Sequence, residues 1–197
     1  MSIQALLMTL EICLVFAFLR CIYRWIRYFF RLCALRKTFK KLTRAGITVT
    51  YKRKLRQIVF GKKGGVDIVL TVGEKKYGIA LLTHRLGMGR WNIERTRSHY
   101  YFEVRKSSVL FNLQRSSENL PDHVKDFGKE KQVSRKLLDL SASAEEYDRL
   151  YLLVYPKPKY LTYTETRYQY LYEGDPLEDY EILFANGLQR LLACPGD

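Results

Sequence analysis

The sequence predicts an α/β (α+β) protein: a mixed β-sheet flanked by helices, preceded by an N-terminal helix that is hydrophobic first and amphipathic after. Three observations carry this expectation. Residues 1–19 hold one charge, Glu11; residues 20–44 place arginine and lysine at helical spacing; and from residue 45 short apolar runs alternate with glycine-containing turns. A chain of 197 residues has room for one domain and an appendage. The expected division is therefore a transmembrane or membrane-embedded helix at 1–19, a basic juxtamembrane helix at 20–44, and a cytoplasmic α/β domain at 45–197.

The first segment, MSIQALLMTLEICLVFAFL, would span about 28 Å as a helix, close to the roughly 30 Å hydrocarbon core of a bilayer. Glu11 opposes crossing, since a central carboxylate costs about 3 kcal/mol on insertion scales, and the flanking Leu, Ile, Phe and Val offset it. No positive region precedes the apolar stretch and no small-residue cleavage site follows, which disfavours a cleaved signal peptide. The basic excess on the C-terminal side predicts that this side is cytoplasmic, giving a single-pass protein of the cell membrane. The alternative is an amphipathic helix lying in the interface, or a core helix.

In the second segment Arg20, Arg24, Arg27 and Arg31 are spaced by four, three and four residues, within about a 60° arc of a helix. Ile22, Trp25, Ile26, Phe29, Leu32 and Cys33 fall on the other side. Such a helix suits a headgroup boundary, where arginine snorkels and tryptophan and tyrosine anchor. With Arg36, Lys37, Lys40 and Lys41 these arginines are the candidate contacts to lipid or another anion.

The net charge of +14 suggests a nucleic-acid binder until its distribution is read. Fifteen of the 34 basic residues lie from Arg20 to Lys63, no acidic residue stands between Glu11 and Asp67, and the other 19 basic residues face 20 acidic ones. The excess is local. The four cysteines and three histidines show neither a CxxC pair nor zinc-ligand spacing, so no metal site is expected.

In the third segment Gly46 is a candidate helix C-cap, and strands are expected at 47–51, 56–60, 66–72, 76–82, 99–104 and 108–113. GKKGG at 61–65 makes a turn whose lysines and glycine amides offer a weak phosphate site. Residues 114–146 are polar and read as a surface excursion. LYLLVY at 150–155 is a central buried strand, and a short helix closes the chain near 186–192. Tyr168, Tyr170 and Tyr172 alternate, so they share one face of a strand; bases could stack on such a row, but cross-strand aromatic packing is the favoured role because no basic cluster accompanies it.

The run GITVTYKRKLRQIVFGKKGGVDIVLTVGEKKYGIALLT, followed late by LYLLVYPKP, resembles the restriction-endonuclease-like or PD-(D/E)XK superfamily. The resemblance implies an aspartate opening one strand and a Glu-x-Lys on the next, converging on Mg²⁺ for phosphodiester hydrolysis. Asp67 fits the first position. Ala80 and Leu82 stand where the glutamate and lysine belong, and neither holds a hard cation. Glu74 and Lys76 lie too far along the chain. Glu103 with Arg105 or Lys106 is the remaining substitute, and arginine replaces a water-activating lysine poorly.

Two function classes follow. One is a membrane-associated protein whose nuclease-like domain is non-catalytic, takes no cofactor, and binds a protein partner or an anionic surface. The other is a nucleic-acid-binding or Mg-dependent nuclease domain using the basic strip 36–63 and Asp67.

Overall fold

The computed structural model describes residues 3–54, 57–58, 63–85, 89–97, 99–106, 131–140 and 146–188. The chain divides into two units, Met1–Lys41 and Leu42–Asp197. The first is helical. Helix α1 (Ile3–Arg44) runs 42 residues without a break, so the boundary expected at residues 19 and 20 is a change of side chains within one helix.

Gly46 ends α1 as its position suggests. It adopts φ +88°, a left-handed conformation open to glycine. The Ile47 N–H donates to the Leu42 carbonyl at 3.2 Å and the Gly46 N–H to that of Thr43 at 3.2 Å, the paired bonds of a Schellman motif. Along the last turns Tyr28, Leu32, Leu35 and Phe39 are buried at spacings of four, three and four. Of the face expected opposite the arginines, Leu32 is buried, whereas Ile22, Trp25, Ile26 and Phe29 are exposed.

The second unit holds two six-stranded mixed sheets in place of the single helix-flanked sheet expected. The first contains, in spatial order, β1 (Thr48–Tyr51), β3 (Ile68–Val72), β4 (Lys75–Leu82), β8 (Arg149–Val154), β12 (Tyr180–Phe184) and β11 (Pro176–Leu177). Its centre is parallel: β8 pairs Leu152 with Ala80 of β4 and with Ile182 of β12. The second sheet runs β10 (Tyr168–Tyr170), β9 (Tyr160–Thr164), β5 (Arg90–Thr96), β6 (His99–Lys106), β7 (Lys131–Asp139) and β2 (Lys63–Gly64).

The sheets face one another across a core. Ala80, Leu82, Leu152, Val154 and Ile182 of the first cluster with Trp91, Ile93, Phe102, Val104 and Leu161 of the second. The reverse sides of β4 and β8 are also buried, through Ile79, Leu81, Tyr151 and Leu153. Burial on both sides explains why LYLLVY and GIALL read as continuous apolar runs. The fold class is α+β, with one long N-terminal helix and two mixed sheets.

The departures from expectation have local causes. At 56–60 a strand is expected, but Gln57 and Ile58 form a helical turn, in which both N–H groups bond the Lys54 carbonyl while the Gln57 side chain accepts from the Lys54 N–H at 3.0 Å. Strand β5 is unexpected because its outward residues, Arg90, Asn92 and Glu94, mask the alternation of Trp91 and Ile93. Strand β7 lies within the supposed surface excursion and sends only Leu138 into the core. The strand expected at 108–113 and the closing helix beyond Leu188 lie outside the described residues.

Candidate functional site

Asp67 sits just before β3 and is fully buried. Its backbone ties β3 to both neighbours: its N–H donates to the Ile79 carbonyl at 2.9 Å, and its carbonyl accepts from the N–H of Lys52 at 2.9 Å. The carboxylate is engaged at both oxygens. Oδ2 accepts the Leu81 N–H at 2.7 Å, and Oδ1 lies 2.5 Å from Nε of Arg53, which also donates to the Gly64 carbonyl. A carboxylate so held fastens the β1–β3–β4 unit.

The other nuclease candidates lie elsewhere. Ala80 and Leu82 point into the core between the sheets and are wholly buried. Glu103 and Arg105 belong to β6 in the second sheet, on the side away from that core, since Phe102 and Val104 occupy the inner side. The core thus separates Glu103 from Asp67. Lys106 ends β6 opposite Lys131. Glu74 lies in the turn between β3 and β4, and Lys76 donates its N–H to Oδ2 of Asp148 at 2.6 Å. Among the described residues no group of three or more His, Cys, Asp or Glu side chains is placed to hold a metal ion.

What the structure does assemble is the outward face of the second sheet. Register places Asn92 between Thr162 and Glu103, with Tyr170 beyond Thr162 and Arg135 beyond Glu103. Parallel rows align Tyr168, Thr164, Glu94, Tyr101 and Leu137 on one side of it, and Tyr160, Arg90 and Arg105 on the other. The floor is polar yet buried: Asn92, Glu103 and Thr162 are each nearly inaccessible. Asn92 Oδ1 accepts from the hydroxyls of Thr162 at 2.9 Å and Thr164 at 3.0 Å. Buried polar groups keep such partners because an unmade bond costs about 1–3 kcal/mol.

Glu103 is the charged centre of this face. Its Oε2 accepts from Arg105 at 2.9 Å and its Oε1 lies 3.2 Å from Nε of Arg135. Arg135 also donates to Glu94 at 2.9 Å, and its guanidinium lies 4.2 Å from the Tyr101 ring centroid. Arg105 reaches the Tyr168 hydroxyl at 3.3 Å. Sequence reasoning singled out Glu103 and Arg105, but for a metal. The cluster with Arg135 and the tyrosines is set by strand pairing between distant segments, which no local motif announces.

At one end of the two sheets Arg95, Tyr100, Tyr163, Glu165 and Glu178 gather. Glu178 adopts φ +53° in the two-residue turn between β11 and β12, a conformation rarely taken by glutamate. It accepts the Tyr100 hydroxyl and lies 3.1 Å from Arg95. Burial, reinforced by the bond to Glu178, pushes the Tyr100 phenol well above its ordinary range. Burial likewise raises Tyr151 and Tyr163, against the lowering effect of Arg149 and Arg95 respectively.

The basic strip 36–63 is less available than its sequence suggests. Arg36, Lys37, Lys40 and Lys41 are exposed on α1, but Lys52 bonds Glu146 at 2.9 Å and Arg53 is committed to Asp67. Arg56 and the GKK part of GKKGG lie outside the described residues or have no described side chain, while Gly64 enters β2 beside β7. On α1, Arg20 and Arg27 are exposed, and Arg24 and Arg31 are half-buried. Among the described residues no helix is long and apolar enough to cross a membrane. No protein-family model, no curated protein and no solved structure matches this chain.

Two outcomes are expected. Replacing Asp67 by alanine removes a buried ion pair and a buried acceptor together, and should lower unfolding free energy by about 3–5 kcal/mol in urea titration. Asp67→Asn, which keeps an oxygen for the Leu81 N–H, should cost less; an unchanged midpoint in both would show that the carboxylate is not a fastening. The second outcome concerns alkaline pH. Tyr100, Tyr151 and Tyr163 hold their protons more tightly folded than unfolded, so their stabilisation is whole below the ordinary tyrosine value near 10 and is lost as pH climbs through their raised folded values. The melting temperature should fall above about pH 10, and fall less in Tyr100→Phe; identical slopes in the two proteins would contradict this.

Proposed function

We propose that this chain is a membrane-associated protein in which α1 is the anchor and the two-sheet unit is a non-catalytic binding domain on the cytoplasmic side. One observation carries the proposal. Leu7, Met8, Leu10, Ile12, Leu14, Val15, Phe16, Phe18 and Leu19 are each more than half exposed, and at 100° per residue they cover about 240° of the helix circumference, the remaining arc carrying the small residues Thr9, Cys13 and Ala17. An exposed apolar arc this broad is wider than the stripe by which a surface helix packs on its own core, and suits contact with lipid. In water this surface far exceeds what a soluble monomer ordinarily leaves bare.

The arginines support the same reading. Arg20, Arg24, Arg27 and Arg31 continue the side of the helix that carries Thr9, Cys13 and Ala17, while Ile22, Trp25, Ile26, Phe29 and Phe30 continue the apolar arc on the other side. Cationic stripe and aromatic stripe side by side suit the headgroup layer, where phosphate and acyl chain are both within reach. Glu11, exposed within the apolar stretch, limits how deeply that part can sit.

The non-catalytic part of the proposal rests on Asp67, whose two oxygens are occupied, and on the core positions of Ala80 and Leu82. If the domain descends from the restriction-endonuclease-like superfamily, it has kept the aspartate as a fastening and lost the metal.

Flotation tests the proposal. Full-length protein mixed with vesicles of phosphatidylcholine and phosphatidylserine should rise with the lipid and stay there at high salt, since apolar burial is not screened. Recovery of the parent chain in the soluble fraction would overturn it. Replacing Leu14, Phe16 and Phe18 by serine should shift the protein to the soluble fraction.

A further inference from the structure

The basic residues of α1 form one set in sequence and two in space. At 100° per residue Arg20, Arg24, Arg27 and Arg31 occupy an arc of about 60°, whereas Arg36, Lys37, Lys40 and Lys41 spread over an arc of about 140° centred about 140° away around the axis. Ile22, Ile26, Phe29 and Phe30 fall within the second arc, and Trp25 lies at its edge. These apolar side chains are exposed, and so are the four cations that follow them. Tyr28, Leu32, Leu35 and Phe39 are buried on the far side of the helix. One side of α1 therefore changes from apolar to cationic between residues 30 and 36, and only Cys33 stands on that side between them.

The charge on this side is not shared out along the helix. No carboxylate stands between Glu11 and Asp67, so the four cations have no partner at helical spacing. A bilayer presents the matching order: acyl chains, then phosphates, then, where the lipid is anionic, a negative potential felt over about 8 Å. An upright helix would lift Lys41 roughly 17 Å beyond Phe30, outside that range. An inclined α1 with this side turned to the bilayer keeps all four cations within it. The same incline sinks the N-terminal part further, where the exposed apolar arc widens to about 240°.

We infer that α1 selects anionic phospholipid, with Arg36, Lys37, Lys40 and Lys41 facing the headgroups of the leaflet in which Ile22, Ile26, Phe29 and Phe30 are embedded. The inference rests on α1 being the lipid anchor, and adds the class of lipid and the residues that recognise it. Arg20 and Arg27, turned to another side, meet phosphates that every phospholipid carries, phosphatidylcholine included. They strengthen adhesion more than they choose the lipid.

Competition between two vesicle populations tests this. Full-length protein is diluted from detergent micelles into a mixture of sucrose-loaded vesicles of phosphatidylcholine with phosphatidylserine and unloaded vesicles of phosphatidylcholine alone, which centrifugation separates. The parent should favour the anionic population about tenfold or more at low salt. At high salt the ratio should fall towards one while the total bound stays constant, because screening acts on charge and not on apolar burial. Replacing Arg36, Lys37, Lys40 and Lys41 together by glutamine should abolish the preference and retain binding to both populations. Arg36→Lys combined with Lys37→Arg, Lys40→Arg and Lys41→Arg should keep it, and Arg20→Gln with Arg27→Gln should lower it less than the glutamine set does. A parent bound to neither population would overturn the anchor and the inference together. A parent shared equally between the two, a glutamine set that keeps the preference, or a preference lost with Arg20 and Arg27 instead would overturn the inference and leave the anchor standing.

Discussion

Strands β4 and β8 lie side by side and parallel, pairing Ala80 with Leu152 and Leu82 with Val154, and both of their faces are buried. This pairing constrains nearly everything else in the second unit. From Gly78 to Leu82 it leaves β4 no surface at which a glutamate or lysine would reach solvent, and Ala80 and Leu82 lie in the core. It also supplies the backbone groups that bind Asp67, whose N–H bonds Ile79 and whose carboxylate bonds the amide of Leu81. The opposing sheet lies on the same core, and its inner residues are thereby fixed as Trp91, Ile93, Phe102 and Val104. The period of two then turns Asn92, Glu103 and Arg105 outward.

How much of this was legible in the sequence depended on whether a signal was local. The alternation in GITVTY, VDIVLTV and HYYFEV marked β1, β3 and β6, and the continuous apolar run of LYLLVY marked a strand buried on both sides. Gly46 marked the end of α1, because the left-handed residue of a Schellman motif is cheap only for glycine. Strand β5 was hidden by its outward residues, and β7 by Ser134 and Lys136, which share its inner side with Leu138. In RWNIERT the charged and amide side chains form the floor and walls of a polar face, and a strand whose outer side is built for polar contacts reads like a loop. The helical turn at Gln57 was hidden differently, by a side chain that caps its own neighbour.

The candidate site was legible only in fragments. Glu103 and Arg105 were visible as a pair on one side of a strand, but their partners Arg135 and Tyr168 come from segments 30 and more residues away, brought in by antiparallel pairing of β6 with β7 and by the parallel return of β9 beside β5. Asp67 was visible as a strand-opening aspartate, and its true partner Arg53 lies in the strip that looked like a solvated basic patch. The charge excess thus divides. Among the described residues, Lys52 and Arg53 enter ion pairs within the two-sheet unit, and Arg20, Arg27, Arg36, Lys37, Lys40 and Lys41 are exposed on α1, beside side chains that water does not favour.

The central claim is that this exposed apolar surface of α1 lies in lipid. The chain has two tryptophans, Trp25 on the aromatic stripe of α1 and Trp91 sealed in the core between the sheets. Quenching of tryptophan fluorescence by lipids brominated on their acyl chains distinguishes them directly. The account predicts that vesicles of such lipids quench the parent protein and leave Trp25→Phe, which retains only Trp91, unquenched. Equal insensitivity of both proteins would contradict it.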